Sequence, residues 1–219
     1  MAYRNKLQAI DALKPDIAVI QEISRKDIEA IDAPFTHWVG NSPHKGLGVI
    51  GFADHHYSVA DTYNDDFPWF IPLIVDDLHV LVIWACVKSN ARRYVRLIHE
   101  AADHYAEFLS APRTVVIGDF NSNTIFDRKH QKLSHTYLVQ RLGEIGISST
   151  YHHQMSEVHG AESMPTFFMY RAIDKPYHFD YAFVSSELLP NSHLEIGTPE
   201  IFAKMSDHLP LILDIAEFR

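Results

Sequence analysis

Polar side chains occur where several apolar, strand-like runs of the sequence end. The stretch "TVVIGDFNSN" places Asp119 and Asn121 directly after an apolar run and a glycine. The runs "DIAVIQE", "YHFDYAFV" and "LPLILDI" contain or adjoin the other members of this set, which are Glu22, Asp180, Asp207 and His208. Because strand ends meet at one rim of a sheet, such side chains can be held together on a rigid support. The sequence therefore predicts one polar site at a sheet rim.

These residue types suit metal-assisted attack of water on a phosphate ester. Mg²⁺ (or Mn²⁺) binds carboxylate oxygens and keeps waters beside a substrate phosphate, so Glu22 and Asp207 are predicted metal ligands. Asn121 is expected to orient the attacking water or a phosphoryl oxygen. Asp119 is placed to position or deprotonate that water. The predicted substrate is thus a phosphate ester, with nucleic acid as one candidate.

A histidine beside a carboxylate would complete the set, and His208 with Asp180 is the predicted pair. The carboxylate fixes the imidazole tautomer and favours the imidazolium, which stabilises negative charge on phosphorus. Asp180 lies between Phe179 and Tyr181 in an otherwise apolar run, so it needs a partner or water. Taken singly, Glu22 is explained as a solvated strand end, Asp119 and Asn121 as turn residues, and His208 as a hydrogen-bonded loop histidine. The combination indicates a site.

Hydrophobic patterning predicts strands with few helices between them. One helix should carry Leu7, Ile10 and Leu13 and end at "KPD", and Asp76-Asp77 should form a hairpin turn. A second helix, with Asn90 as its cap, should carry Tyr94, Leu97, Ile98, Ala101, Tyr105 and Phe108, and a third should span about 134–145. The predicted strands are "DIAVIQE", "GLGVIGF", "FIPLIV", "LHVLVIWACV", "TVVIGDFN", "TFFMYR", "HFDYAFVSS", "SHLEIG" and "LPLILDI". This favours an α/β (α+β) fold with two packed mixed sheets and outer helices.

Composition limits the class of protein. The chain has 219 residues, is 47% hydrophobic and has no apolar run of membrane-spanning length, which indicates one globular domain over residues 1–219. A net charge of -9 disfavours attachment to nucleic acid by charge alone, but acidic metal ligands are compatible with a phosphate substrate. Cys86 is the one cysteine and is interpreted as a small core residue. Without disulfides or a signal peptide, the expected location is cytoplasmic.

The segments "IAVIQE", "VVIGDFNSN", "MPTFFMYR", "HFDYAFVS" and "SDHLPLILD" together resemble the endonuclease/exonuclease/phosphatase superfamily of metal-dependent phosphoesterases. The resemblance implies a four-layer α/β sandwich, with two mixed sheets packed face to face and helices outside. It also implies that Glu22 binds metal, that Asp119 and Asn121 hold the water and the phosphate, and that Asp180 orients the essential His208. Asp207 resembles a further metal-site ligand.

The sequence departs from the family pattern at two places. Members normally begin with a strand that carries an Asn near the metal, whereas Met1 here almost adjoins the first helix. We therefore expect a chain cut short or assigned a late start, and a C-terminal strand that lacks one neighbour. The second departure is a histidine that many members carry after a strand like "LVIWACV". This chain has Ala85, Cys86, Val87 and Lys88 there.

Several substrates and roles stay open at this point. A deoxyribonuclease-like nuclease is the first choice, and Arg92, Arg93 and Arg96 are candidate phosphate contacts. A small-molecule or lipid phosphodiesterase is the alternative, with "DDFPWFIPL" as a possible lipid edge, and a binding module that has lost turnover is another. A zinc hydrolase is not indicated, because the "HH" pairs and the lack of a His-x-x-x-His helix pair fit no closed zinc site.

Overall fold

The computed structural model describes residues 7–86, 94–129 and 131–216. Its helices are α1 (Leu7–Leu13), α2 (Arg25–Glu29), α3 (Val95–His104), α4 (Ala106–Leu109), α5 (His135–Glu144), α6 (Thr150–Met155) and α7 (Pro199–Phe202). Its strands are β1 (Ile17–Ile23), β2 (Phe35–Ser42), β3 (Lys45–Gly51), β4 (Tyr57–Val59), β5 (Phe70–Val75), β6 (Leu78–Trp84), β7 (Thr114–Asp119), β8 (Ile147–Ser149), β9 (Phe167–Phe168), β10 (Pro176–Tyr177), β11 (Asp180–Ser185), β12 (Ser192–Ile196) and β13 (Leu211–Ile215). Short 3₁₀ turns lie between several of them.

The central sheet has six strands in the order β4-β5-β6-β7-β11-β8. Strands β6 and β7 pair in parallel, and the other neighbours in this sheet pair antiparallel. Continuous apolar runs form the middle of the sheet, since strands that are covered on both faces need no alternation with polar residues. The expectation of a mixed sheet is therefore confirmed.

Smaller sheets lie against this central sheet. Strands β1, β3 and β2 form one antiparallel sheet, and β12 with β13 forms another. In the part of the chain that the structure describes, β1 pairs with β3 alone and β13 with β12 alone, so each presents an open edge. A groove of about 740 Å³ lies between these two edges, lined also by α1, Asp180 and His208. The expected lack of a neighbour for the C-terminal strand is thus found within the described residues.

One main core joins the central sheet to its neighbours. It includes apolar residues of the small β1-β3-β2 sheet, of the central sheet, and of α3, α4 and α5. A second core packs β12 and β13 against β11, and a third covers the β1-β3-β2 sheet with Ile28 of α2. Helices and sheets are therefore packed in a mixed α/β arrangement, as predicted. The four-layer sandwich and the single-domain assignment stay predictions.

Most predicted elements are confirmed, with several differences. Only Phe167–Phe168 of "TFFMYR" is a strand, because Tyr170 and Arg171 have positive φ values of 57° and 59° that end it. The predicted long helix divides at Tyr105 into α3 and α4, and its proposed cap, Asn90, lies outside the described residues. Strand β2 was not predicted, since polar residues interrupt its pattern, and the short elements β4, β8, β10, α2, α6 and α7 were not predicted either. None of the helices that the structure describes is long and apolar enough to cross a membrane.

Candidate active site

The site begins at the end of β7, which is held between two neighbouring strands. Asp119 is the register partner of Trp84 on β6 and of Asp180 on β11. The residue before it must be a glycine, because Gly118 has φ +142° and a Cβ there would lie 1.9 Å from the Ile83 carbonyl oxygen. The glycine of "GDFN" therefore lets β7 approach β6 closely enough to fix the position of Asp119.

After Asp119 the chain turns, and Asn121 closes the turn onto the aspartate. Asn121 has a positive φ of 46°, which Asn tolerates better than most residues. Its backbone N–H donates to Asp119 Oδ1 at 2.8 Å, and its side-chain Nδ2 donates to Asp119 Oδ2 at 2.6 Å and to Ala85 O at 2.9 Å. The two side chains predicted to act on water and phosphate are thus in direct contact.

Asp180 and His208 form the predicted pair. His208 Nδ1–H donates to Asp180 Oδ2 at 2.8 Å and also lies 3.1 Å from Oδ1. Asp180 is buried as the first residue of β11, while His208 is partly exposed and forms an isolated bridge with Phe167. The carboxylate therefore fixes the tautomer and leaves Nε2 as the other ring nitrogen that can carry a proton.

Thr166 fixes the relative position of the two members of this pair. Its hydroxyl oxygen accepts the backbone N–H of Phe179 at 2.9 Å and of Asp180 at 3.0 Å. Its carbonyl oxygen accepts the N–H of Leu209, directly after His208, at 2.7 Å. Since Thr166 is fully buried, these bonds connect the strand of Asp180 to the segment of His208 without competition from water.

The electrostatics of the site follow from burial and from two close carboxylates. Burial, reinforced by repulsion from Asp180, raises the pKa of Asp119 to about 8. Burial alone would lower the pKa of His208, but attraction and hydrogen bonding from Asp180, with help from Asp119, raise it to about 9. At neutral pH His208 is therefore an imidazolium, as the sequence predicted for a group that stabilises negative charge.

The sequence profile of the Endonuclease/Exonuclease/phosphatase family matches residues 7–208 of this chain. The protein belongs to this family. A comparison with curated protein sequences gave no significant match. Family membership thus rests on the profile, which spans every predicted site residue.

Three solved structures share the fold of this family member. A 3'-5' exonuclease from Neisseria meningitidis is 18% identical with a TM-score of 0.68, covering 98% of this chain and 96% of its own. An AP endonuclease from Archaeoglobus fulgidus is 17% identical with a TM-score of 0.69 and the same coverage of 98% and 96%. The endonuclease domain of TRAS1, a telomere-specific non-LTR retrotransposon, is 13% identical with a TM-score of 0.67, covering 97% and 91%.

The side chains at the centre of this site fit a divalent cation. One ligand atom each from Asp119, Asp180 and His208 lie within 4.8 Å of one another, and the two carboxylates are the members that can bind a cation while His208 carries its proton. Asp119 and Asp180 are cross-strand partners, and like charges in that position repel unless a cation or proton compensates them. Carboxylate oxygens are the donors that Mg²⁺ and Mn²⁺ prefer. The chemistry of these residues is therefore compatible with the implied metal.

Glu22 and Asp207, the two predicted metal ligands, lie at the periphery of this group. Glu22 occupies a bulge of β1 with φ 63°, and its carboxylate forms an ion pair with Lys45 at 2.6 Å. It lies near enough to Asp119 to contribute to the raised pKa of that group. Asp207 adjoins His208 and helps to raise the pKa of His208, while its backbone oxygen accepts the Phe168 N–H at 2.8 Å. Their role as ligands stays a prediction.

The segment after β6 supports the turn with backbone groups. Ala85 N–H donates to Asp119 O at 2.7 Å, and its own carbonyl accepts Asn121 Nδ2. Burial, together with repulsion from Asp119, raises the pKa of Cys86 to about 12, so it is a protonated, packed thiol as interpreted. The candidate contacts Lys88, Arg92 and Arg93 lie outside the described residues, and Arg96 is exposed on α3.

Sequence reasoning missed two residues of this site, Thr166 and Lys45. Thr166 lies in the quoted motif "MPTFFMYR", but its hydroxyl contacts backbone groups that follow it by 13 and 14 residues, which no local pattern reveals. Lys45 lies at the start of β3, and its ammonium also lies 5.4 Å from the ring centroid of Trp84. A lysine beside a glycine in a hairpin gives no sequence signal that it lies next to an active site.

Proposed function

We propose that this protein is a divalent-metal-dependent phosphodiester hydrolase that uses Mg²⁺ or Mn²⁺ and cleaves nucleic acid. The observation that carries the proposal is the 2.8 Å hydrogen bond from His208 to Asp180, beside the Asp119–Asn121 pair. Burying such polar groups costs free energy unless they are paired, and a scaffold for binding alone requires none of them. Their convergence supports an enzyme over a binding module that has lost turnover.

Each residue has a distinct part in the attack of water on phosphorus. Asp119 positions the water and, in its ionised form, accepts the proton, since a carboxylate whose pKa is raised to about 8 is a stronger base than an ordinary aspartate. Asn121 holds the Asp119 carboxylate in place through its amide nitrogen, which also donates to Ala85 O, and its amide oxygen is the group that can accept a hydrogen bond from the attacking water. A P–O bond to the water oxygen forms while the bond to the leaving oxygen breaks, and the leaving oxygen takes a proton from solvent.

His208 stabilises the negative charge that grows on the phosphoryl oxygens during this step. It carries a proton at neutral pH because its pKa is about 9. Asp180 accepts the Nδ1–H, so the Nε2–H is available to the phosphate. Thr166 acts as a positioning residue, because its bonds fix Asp180 and the segment of His208 and do not reach the substrate.

We propose that Glu22 and Asp207 hold the divalent cation, with Asp119 and Asp180 close by. When bound, the metal supplies Lewis-acid polarisation of a phosphoryl oxygen and a positive charge for the transition state. The ion pair between Glu22 and Lys45 supports this assignment in one respect, since it shows that the Glu22 carboxylate is accessible and attracts a cation. Exchange of Lys45 for a divalent ion requires only that this exposed lysine moves.

Nucleic acid is the preferred substrate because an exposed aromatic and two cations lie on the hairpin next to His208. Tyr170 is 83% exposed, an unusual state for a tyrosine, and Lys175 lies 5.4 Å from its ring centroid. Arg171 is exposed beside it. Aromatic faces stack on bases, and cations contact phosphates. A structure of the similar Neisseria protein bound to a product DNA hairpin supports this preference.

The lipid alternative has less support. The residues that would cover a lipid edge in "DDFPWFIPL" include Trp69 and Phe70, which are 8% and 0% exposed and belong to the main core. Packing beneath the surface leaves them no contact with a membrane. A small-molecule phosphodiester stays the second candidate, since the catalytic groups need only one phosphate.

The proposal is tested with labelled single- and double-stranded DNA, incubated with Mg²⁺ and resolved on a denaturing gel. Wild-type protein should shorten or nick the DNA, and His208→Gln should do so at least 100-fold more slowly. Glu195→Gln is the matched control, because Glu195 is an exposed β12 residue on the same groove. If DNA stays intact while a small phosphodiester is hydrolysed, the nucleic-acid part of the proposal is wrong.

A further inference from the structure

Behind the Asp119–Asn121 turn lies a group of titratable side chains that the proposed hydrolysis does not use. We call this group the histidine cluster, and it consists of His135, His152, His159, Glu162 and His178. The rings surround Tyr181, with centroid distances of 4.8 Å from His135 and 4.9 Å from His178. His152 and His159 stack at 3.5 Å. Side chains from separate elements therefore meet at one buried point.

Different elements supply these side chains. His135 is the first residue of α5, and His152 lies in α6, where Ser149 caps the helix. His159 and Glu162 lie in the segment between α6 and β9, and His178 lies just before β11. His152, His159 and Glu162 lie within 11 residues of sequence (152–162), but His135 and His178 are 43 residues apart (178 − 135), and the spacing matches no Cys/His zinc motif. The absence of a zinc-binding spacing therefore did not exclude a site formed by the fold.

Three imidazole nitrogens in the cluster are buried without a hydrogen-bond partner among the described residues. They are His135 Nε2, His159 Nδ1 and His178 Nε2. His178 Nδ1–H donates to Met164 O at 2.8 Å, so its Nε2 carries an unshared lone pair. His135 and His178 are only 1% and 4% exposed. Buried polar atoms are normally satisfied, so three unpartnered ring nitrogens in one place indicate an absent partner.

The hydrogen bond from His178 to a carbonyl is also the arrangement found around metal-bound histidines. A metal-binding imidazole usually donates its second N–H to a carbonyl or carboxylate, which fixes the tautomer and aims the other nitrogen at the metal. His135 has a comparable bond, since its Nδ1 lies 2.8 Å from Ser122 Oγ. His152 Nδ1 lies 2.7 Å from Ser149 Oγ. The rings of His135, His152 and His178 are thus each positioned by a hydrogen bond at Nδ1.

The cluster also contains a buried anion. Glu162 has a side chain that is 5% exposed and lies 3.1 Å from His152 Nε2 through Oε1. It accepts the Gly160 N–H at 2.9 Å and Asn123 Nδ2 at 3.1 Å. Burial alone would raise its pKa, but these hydrogen bonds lower it to about 2, so the group is a carboxylate. Burial, with repulsion between neighbouring imidazoles, lowers the pKa of His135 to about 3 and of His159 to about 4, which keeps both neutral.

We propose that the histidine cluster binds one zinc ion through His152, His159 and Glu162, with the Nε2 atom of His135 or His178 as the fourth donor. Ligand atoms of the first three lie within 4.8 Å of one another. A set of neutral imidazoles with one carboxylate suits Zn²⁺, whereas Mg²⁺ prefers oxygen donors throughout. The zinc site is separate from the proposed catalytic metal site, which consists of carboxylates.

The role of the zinc is to brace the turn that carries Asn121. Ser122 and Asn123 follow Asn121 directly and point to the other side, where Ser122 contacts His135 and Asn123 contacts Glu162. Asn123 Nδ2 also lies 3.0 Å from the Tyr181 hydroxyl and 3.2 Å from the His178 carbonyl oxygen. Zinc would therefore hold the far side of the catalytic turn to α5, α6 and β11.

The test is zinc binding to the folded protein, with the catalytic site disabled in every sample. An Asp119→Asn/His208→Gln background removes donors from the catalytic group. In this background, isothermal titration and metal analysis after dialysis should give one bound zinc. Bound Co²⁺ should show the intense visible absorption of a tetrahedral site. Adding His159→Ala or Glu162→Gln should weaken zinc binding at least tenfold and abolish the rise in melting temperature that zinc causes.

His153→Ala is the matched control, because His153 is an exposed neighbour of His152 on the same helix and should leave zinc binding unchanged. Circular dichroism checks that each variant is folded, and Glu162→Gln preserves the shape of the side chain if His159→Ala does not fold. The proposal is overturned if the background protein binds no zinc, or if both cluster variants bind it as tightly as His153→Ala does.

Discussion

Asp119 and Asp180 occupy directly paired positions on β7 and β11, so two buried carboxylates lie side by side at the centre of the candidate site. Each is compensated by a different neighbour. Asn121 donates to Asp119, and His208 donates to Asp180. The site thus has two parts: Asp119 with Asn121 is proposed to position water, and Asp180 with His208 carries the positive charge. Both parts depend on the pairing of β7 with β11.

Replacing Asp180 by Asn should lower kcat by about 10²- to 10⁴-fold with a small effect on KM, which is the usual size of a lost proton-positioning group. The amide cannot stabilise the imidazolium, and it permits the wrong imidazole tautomer. Steady-state hydrolysis of bis-p-nitrophenyl phosphate measures this, with Glu195→Gln as the control. Unchanged kcat in Asp180→Asn would remove the pair from the mechanism.

Activity should fall as pH rises above about 9. Since the pKa of His208 is raised from 6.5 to about 9, the imidazolium is present throughout the neutral range and is lost only on the alkaline side. The same shift stabilises the fold fully below pH 6.5, and this contribution is lost as pH rises through about 9. A profile of kcat/KM against pH should show this alkaline fall, and the residual activity of Asp180→Asn should fall at a lower pH. An identical alkaline limb in both proteins would contradict the assignment.

Thr166→Val should lower kcat at least tenfold while the protein stays folded. Valine matches the shape of threonine but cannot accept the N–H groups of Phe179 and Asp180, so both donors are left unpaired in a buried place. Thr166→Ser keeps the hydroxyl and should restore most of the activity. If Thr166→Val keeps wild-type activity, the hydrogen bonds of the hydroxyl do not position the pair.

Tyr170→Ala should weaken binding of single-stranded DNA by about 5- to 150-fold, the range that corresponds to loss of one stacked base at about 1–3 kcal/mol. Hydrolysis of bis-p-nitrophenyl phosphate should stay unchanged, because Tyr170 makes no contact with the four catalytic residues in the described structure. Fluorescence anisotropy of a labelled oligonucleotide measures the binding. Equal DNA affinity in both proteins would exclude the exposed hairpin as the nucleic-acid contact.

Local sequence patterns were sufficient for the parts of the site that depend on neighbouring residues. The turn of Asp119 and Asn121 follows from an apolar strand, a glycine and two turn-forming residues. The pair of Asp180 and His208 was predicted because a buried aspartate needs a partner and a histidine beside a carboxylate completes the chemistry, and the family resemblance implies the same pair. Backbone breaks at Tyr170 and Arg171 were not predicted, since neither residue type favours a positive φ.

Contacts between distant segments could not be read from the sequence. Glu22 forms an ion pair with Lys45, 23 residues later (45 − 22), because β1 and β3 are paired. The histidine cluster likewise exists only after α5, α6 and β11 have packed together. Such contacts depend on tertiary packing, for which composition and periodicity carry no signal. The general architecture was therefore predictable, while the surroundings of each catalytic residue were not.

The central claim is metal-dependent hydrolysis of a phosphodiester, and bis-p-nitrophenyl phosphate tests it most directly. The assay compares wild-type protein and Asp119→Asn with Mg²⁺, with Mn²⁺ and with EDTA. The account predicts release of p-nitrophenol by the wild type with either metal, none with EDTA, and at least a 100-fold lower rate for Asp119→Asn. Equal rates with metal and with EDTA, or equal rates for the two proteins, would contradict it.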